Sequence, residues 1–557
     1  MRSFSRRLTT AIETLRRSGP AGLILRYLDS KRSRQLERHY REWIAAHGEL
    51  APEEVQGIES KIGSLARLPL ISIVLPVYNI EEKWLRSCID SVRKQIYSKW
   101  ELCIADDAST NDPVPSVLAE YAARDERIQV VFRKENGHIS AASNSALELV
   151  TGEFTVLLDH DDELSPDALY RIAAEVNAFP EAGVIYSDED LIDDDGRRFG
   201  PRFKPDFSRD LMYSLNLMTH LCAYRTDLLR SVGGFRIGFE GSQDYDLELR
   251  VLEQIDDSQV RHIPRVLYHW RVIRGSVSFS TNEKPYAYKR ARRALREHFQ
   301  RAGIAVEVSE AAPYLHRVKY KELEPVSVTA IVWPVCGDAG AAKYLRRQSD
   351  VIVVHRDDRK TRAEMLNAAA ARSGSDVLLF LDGNLDPIDL TRVAELFAFA
   401  MRPEIGAAGG RILKNEYVVE QAGLVLDQTL FPRNAHGGYA RSSPGNMFRN
   451  RQISNYAAIS ISCFAMRREL FDEIGGFDSS DSMAGIFEVD LCLRSWAMGK
   501  RVVVLPHVEF IRHGGASRRE ISPDHLASFR KKWPHYVNCD PFCNPNLKRD
   551  GSFDIEA

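Results

Sequence analysis

Leu157-Leu158-Asp159-His160-Asp161-Asp162 is the stretch whose reading decides the fold of this chain. Three carboxylates follow a short apolar run, Phe154 to Leu158, that reads as a buried strand. At the carboxyl edge of an open α/β sheet, such a cluster points into the crevice where ligands usually bind. Hard oxygen ligands there suit Mg²⁺ or Mn²⁺, and Mg²⁺ is typically held by one or two carboxylates together with substrate phosphates. Taken alone, the spacing is a weak signal. Ser165 as cap and Pro166 in the first turn would start a helix, and the carboxylates would then be a solvated loop ahead of it. The neighbouring sequence favours the site.

On the N-terminal side, Ile71–Leu75, Trp100–Ala105 and Ile128–Phe132 read as strands. Helical patterns over Glu82–Lys94, Val114–Ala123 and Ser140–Leu149 separate them. Strands and helices alternating at these lengths predict a mostly parallel sheet covered on both faces, an α/β fold. The pattern then recurs. Pro180-Glu181-Ala182-Gly183 returns as Pro403-Glu404-Ile405-Gly406, Leu158-Asp159 as Leu381-Asp382 and Asn144 as Asn367, all offset by 223. Val232-Gly233-Gly234-Phe235 returns as Ile474-Gly475-Gly476-Phe477, offset by 242, and Asp246 to Arg250 as Asp490 to Arg494, offset by 244. This is a tandem duplication of long period, with the halves joining near residues 310–326. Aligning Pro76 with Pro334 gives an offset of 258, so the second copy has lost about 35 residues from its first half. Its carboxylate cluster has become Asp382-Gly383-Asn384-Leu385, and a neutral amide is a poorer partner for Mg²⁺. Glu488 stands where the first copy has Asp244, and an offset of 244 aligns His513 with His269.

At 557 residues the chain exceeds the roughly 250–300 residues at which single cores stop growing. The expected division is a basic helical extension (1–66), an intact first domain (67–320), a degenerate second domain (326–520) and a tail (521–557). Net charge is −3, with 44% hydrophobic and 27% charged residues, an ordinary globular balance that excludes a basic nucleic-acid binder. No apolar run approaches the roughly 20 residues of a membrane span, and no signal peptide is evident. The eight cysteines lack paired metal-site spacing, which fits a reducing, cytoplasmic location. Residues 1–50 carry 11 Lys and Arg against 5 Asp and Glu. Leu8, Ile12 and Leu15 recur there at helical spacing beside Arg6, Arg7, Arg16 and Arg17. This is either an amphipathic helix on an anionic membrane surface or a solvated helix packed on protein.

Ser72 to Asn79, Asp106-Asp107-Ala108-Ser109-Thr110, Asn136 to Asn144, Leu157 to Asp162 and Gly241-Ser242-Gln243-Asp244-Tyr245-Asp246 follow one another in fixed order. Together they resemble the successive blocks of family 2 inverting glycosyltransferases of GT-A fold. The resemblance covers Pro69 to Val308, and residues 326–517 resemble a second, degenerate copy. Tandem chains of this kind resemble bacterial O-antigen and capsule glycosyltransferases, including rhamnosyltransferases. The resemblance implies a nucleotide-sugar donor and a glycan or lipid-linked acceptor. It also implies a donor-side set of Pro76, Tyr78, Asn136 and Asn144, with Asp188 on the acceptor side. Asp106 or Asp107, at a strand end, could accept the N3–H of a uracil or thymine ring, or brace the Ser109-Thr110 turn. Asp159 and Asp161 would hold the metal that offsets charge on the leaving diphosphate. Asp244 matches the family's catalytic base, with Asp246 as competitor and helix capping as the plain alternative. Tyr268-His269-Trp270-Arg271 falls where relatives place a metal-ligand histidine or a phosphate contact, with Arg271 or Arg274 as clamp. Two other outcomes remain open: a bifunctional enzyme with both copies active, and a glycan-binding scaffold. A metal-dependent phosphohydrolase would leave the strand-end and base motifs unused.

Overall fold

The computed structural model describes residues 30–272, 285–312, 315–321, 325–333, 345–346, 349–355, 357–514 and 521–556. The amphipathic stretch around Leu8–Leu15 and the Arg274-Gly275-Ser276 segment lie outside them. The chain forms two compact units, Tyr40–Val318 and Lys319–Ala557 with residues up to His39.

The first unit is built on a nine-stranded sheet. Its strands are β1 (Ile71–Val77), β2 (Trp100–Asp106), β3 (Ile128–Phe132), β4 (Phe154–Leu157), β5 (Glu163–Leu164), β6 (Val184–Ile192), β7 (Arg198–Arg202), β8 (Cys222–Arg225) and β9 (Val260–Arg271). The order is β3-β2-β1-β4-β8-β6-β9-β5, with β7 paired to β6. β1 and β2 are near-continuous apolar runs because helices cover both their faces. The helix Glu82–Arg93 buries Trp84, Leu85, Ile89 and Val92 on one side, each contributing roughly 1.5–3 kcal/mol. β1 pairs in parallel with β2 and β4, and β6 with β9. β8 runs antiparallel between β4 and β6, so the sheet is mixed. Strand direction leaves no mark on an apolar run, which is why the sequence suggested a more uniformly parallel sheet.

This register positions the site. Val77 lies opposite Asp106, and Val74 opposite Leu157, so the loops after β1, β2 and β4 leave from one edge. The helix after the acidic cluster runs Ala168–Ala178, later than Ser165-Pro166 would start it. Ser165 instead donates its hydroxyl to Asp167 Oδ1 at 2.7 Å. Residues 40–47 of the N-terminal helix belong to this unit. Tyr40 and Trp43 stack at 5.6 Å and both meet Phe203 edge-on.

The second unit repeats the plan. Its sheet runs Asp350–Val353, Val328–Trp333, Val377–Asp382, Cys463–Arg467, Ile405–Leu413, Arg501–Arg512, Leu385–Pro387. These correspond in order to β2, β1, β4, β8, β6, β9 and β5, and no described strand takes the place of β3. Ile71 pairs with Phe154 as Val328 pairs with Val377, so the offset at this end is 257, one less than the Pro76–Pro334 alignment. A second correction follows from the far edge. Glu163 faces His269, while Asp386 faces Ile511. Ile511 is therefore the counterpart of His269, and His513 that of Arg271. The expected His269–His513 match carried an offset from the preceding helix across a loop that is two residues shorter in the second copy.

Candidate active site

At the β1–β2 end, Asn79 adopts φ 47° and ties two loops together. Its side-chain oxygen accepts the N–H groups of Thr110 (2.8 Å) and Asn111 (3.0 Å), and its own N–H donates to Ser109 Oγ at 3.0 Å. Tyr78 is exposed beside it. Pro76 lies one step back on β1, its carbonyl accepting from His160 Nδ1 at 3.2 Å. Asp107 Oδ1 accepts from Arg133 Nε at 2.8 Å and from the Gly137 N–H at 2.9 Å. Asp106 accepts the Ser109 N–H at 3.3 Å. The Asn136 amide donates to the Asp107 carbonyl at 3.2 Å. Thus Asp107 is ion-paired, and Asp106 braces the turn, the plainer of the two roles expected of the pair.

Beyond β4, the carboxylates are sharply sorted. Asp162 is fully buried, accepting from Tyr268 Oη at 2.5 Å and from the Arg271 N–H at 2.7 Å. Burial raises its pKa well above the ordinary range, with Asp161 and Asp159 adding to the effect. Burial also raises Asp161, against the pull of His160 and with Asp159 pushing the same way. Arg271 is buried and spends its guanidinium on this loop. It donates to the Asp161 carbonyl at 2.8 Å, to the Asp193 carbonyl and to Glu163, and lies over the Trp84 ring at 4.1 Å. It braces the acidic loop where a phosphate clamp was expected.

Asp159, Asp162 and His220 bring one ligand atom each within 4.8 Å of one another. Asp159 was expected there. Asp161 and His269 were expected and are not in the group; Asp162 and His220 are. His269 is turned to Asp190, its Nδ1 lying 2.6 Å from Oδ1. Two carboxylates and an imidazole form a donor set that fits a divalent cation.

Asp244 lies in the first turn of the helix Gln243–Val251, where the backbone N–H groups of Tyr245 and of Asp244 itself bear on its carboxyl. Its Oδ2 accepts from the Asn216 amide at 3.0 Å. Burial pushes this carboxyl above the ordinary range, against His220 and with Asp159 adding to the rise. Both effects tie Asp244 electrostatically to the Asp159–His220 neighbourhood. Asp246, its competitor in the sequence, is ion-paired to Arg236 and, at 3.0 Å, to Arg250.

His220 and Asn216 carried no recognisable motif. They sit on the turn before β8, and His220 stacks on Tyr268 at 4.6 Å. The turn is gripped by a fully buried pair, Lys204 and Glu189, 3.3 Å apart. Burial would raise the Glu189 carboxyl, but Lys204, Arg202 and His220 hold it down to about 2. The only sequence signal was polar residues, Asn216 and Thr219-His220, interrupting an otherwise apolar approach to a strand.

Two expected binding residues lie elsewhere. Asp188 is fully buried, its Oδ1 accepting the Lys204 N–H at 2.8 Å and facing His262 Nε2 at 3.0 Å, so it pins β6 from inside. Asn144 holds the backbone of Phe235 with both ends of its amide, at 2.8 Å each. Asn367 holds Phe477 in the same way in the second unit. There Asp382, the counterpart of Asp159, is paired to Arg512 Nη1 at 2.6 Å; Arg512 Nε also reaches Glu420 at 2.9 Å.

A half-parallel α/β sheet whose edge gathers carboxylates from successive strand ends is the framework expected of a GT-A transferase. Residues 72–232 match the family model Glycosyl transferase family 2. It is 36% identical over 544 residues to the uncharacterized protein y4gI of Sinorhizobium fredii, a match covering 88% of this chain and 59% of that protein. It is 32% identical over 547 residues to the O-antigen biosynthesis protein RfbC of Myxococcus xanthus, covering 91% and 42%. The chain thus spans about half the length of these relatives. The structure of S. aureus TarS 1-349 in complex with UDP-GlcNAc aligns with 40% of this chain and 65% of that one, at 20% identity and a TM-score of 0.34, too slight a likeness to bear on function.

Proposed function

We propose that the first unit is a metal-dependent inverting glycosyltransferase. It would move a sugar from a UDP- or dTDP-sugar to a surface polysaccharide or its lipid-linked precursor, from the cytoplasmic side of the membrane. The observation that carries this reading is the convergence of Asp159, Asp162 and His220, all inside the region that matches the family model, near Asp244 just beyond its end. The relative named for O-antigen biosynthesis supports the acceptor class. In this reading the intact domain is 67–320, the degenerate one 326–520, and the basic residues before 67 supply peripheral membrane contact.

Asp106, besides its long 3.3 Å contacts to the Ser109 N–H, takes the base of the donor, because Asp107 is committed more closely to Arg133 and Gly137. Tyr78 and Asn136, both exposed at the same edge, flank it. Asp159, with Asp162 and His220, would hold Mg²⁺ or Mn²⁺, and Asp161 lends charge beside them. A cation bound there supplies Lewis-acid stabilisation of the charge growing on the leaving diphosphate. Asp244 removes the proton of the acceptor hydroxyl as its oxygen bonds to the anomeric carbon and the bond to the diphosphate oxygen breaks. Asn216 fixes Oδ2 and so orients the carboxylate, whose burial makes it a stronger base than an exposed aspartate. Arg271 contributes by holding the acidic loop in place.

The test is hydrolysis and transfer across a panel of UDP-, dTDP- and GDP-sugars with Mn²⁺ or Mg²⁺. One donor should turn over. Asp244→Asn should lose about 10²–10⁴-fold in kcat, and Asp159→Ala should lose metal dependence. Turnover that survives both substitutions would overturn the assignment.

A further inference from the structure

The turn Asn216-Leu217-Met218-Thr219-His220 has neither helix nor strand to satisfy its backbone, yet it carries two of the side chains gathered at the site. Lys204, with no exposed surface, donates from Nζ to the carbonyls of Met218 (2.7 Å) and His220 (2.5 Å). Glu189, equally buried, accepts through Oε2 from Thr219 Oγ1 (2.9 Å) and the His220 N–H (3.1 Å). Its Oε1 accepts from Arg202 at 2.7 Å. Between them, cation and anion serve three successive residues and share His220, one donating to carbonyls and the other accepting from N–H and O–H groups. Thr219, β-branched and at φ 39°, occupies a backbone region such residues rarely adopt, and its hydroxyl is one of the groups Glu189 holds. Burying an ion pair is seldom the cheapest way to stabilise a core, since well-packed apolar side chains often do as well. What this pair does that apolar side chains cannot is fix the path of a turn.

We propose that the buried Lys204–Glu189 pair is a positioning device: by gripping residues 218–220 it sets Asn216 against Asp244 and His220 beside Asp159 and Asp162. The inference rests on the glycosyl-transfer reading of that site. Lys204 and Glu189 touch no substrate in it; they act through the turn. Outer groups that orient metal-binding side chains typically change metal affinity 10–100-fold when removed.

Lys204→Met and Thr219→Ala are the informative variants. Thr219→Ala removes one hydrogen bond at a partly exposed position and keeps the test alive if Lys204→Met does not fold. Each folded variant is measured for thermal midpoint, for binding of Mn²⁺ alone by electron paramagnetic resonance, and for kcat and donor KM on the sugar nucleotide the wild type turns over. The expected result for Lys204→Met is Mn²⁺ affinity about 10-fold or more weaker and kcat about 10–100-fold lower, with KM within about threefold. Thr219→Ala should show the same split at about 3–10-fold. Wild-type Mn²⁺ affinity and kcat in the folded variants, beside an inactive Asp244→Asn control, would overturn this inference alone. An Asp244→Asn control as active as wild type would overturn the transfer reading, and the inference with it.

Discussion

Asn144 and its counterpart Asn367 separate a structural residue from a binding one. Asn144 lies within a block that resembles a donor-binding motif, and sequence alone assigned it to the donor. Both copies, however, use the residue to hold a Gly-Gly-Phe turn. Arg250 and Arg494 complete the same clamp on the carbonyls of Val232 and Gly234 and of Ile474 and Gly476. A residue kept in the copy that has lost its acidic cluster was a legible hint of a packing role. Asn144→Ala leaves two backbone groups without their partner and should cost about 1–3 kcal/mol, read as a lower thermal midpoint, while donor KM stays unchanged. His220 is the opposite case. Some 60 residues separate it from Asp159 in sequence, and only the antiparallel placement of β8 brings them together, so no spacing rule could have found it.

Among the elements, strands β1 to β4 and their helices were readable within a residue or two; in β1, β2 and β4 burial on both faces leaves a mostly apolar run, while β3 was legible from its β-branched and aromatic residues alone. β7 and β8 were not, being short and partly polar. The β6–β9 seam is where polar chemistry replaces apolar packing. Asp188 and His262 join the two strands, and Asp206 holds the other ring nitrogen at 3.0 Å. Burial alone would lower the His262 pKa, but Asp188 and Asp206 raise it to about 9. An unfolded histidine titrates near 6.5. The pair therefore stabilises the fold fully below about pH 6.5, and that stability is lost as pH rises through about 9. Thermal unfolding should shift downward across that interval by the equivalent of about 2–4 kcal/mol. His262→Gln should be less stable near neutrality and lack the slope. A wild-type midpoint that is flat from pH 6.5 to 9 would remove His262 from the seam's energetics.

For the whole molecule, two units share one strand order and carry different side chains at the same sheet edge. The second lacks a described counterpart of β3, and Arg512 sits on Asp382, where the first unit gathers Asp159, Asp162 and His220. Titration of UDP into the Mn²⁺-loaded chain should therefore give one equivalent bound, and Asp382→Asn should leave turnover intact while lowering stability. Two equivalents would restore the bifunctional alternative. Among the described residues no helix is long and apolar enough to cross a membrane.

The guanidinium on Asp382 belongs to the chain itself, and neither dilution nor a chelator can remove it. A dissociable cation, by contrast, stabilises by an amount that grows with the logarithm of its free concentration. EDTA should therefore lower the unfolding temperature of the first half and leave that of the second unmoved. On the proposed function, folding strength and competence for reaction in the first unit would rise and fall with the supply of that cation; in the second, the charge balance is inherited with the sequence.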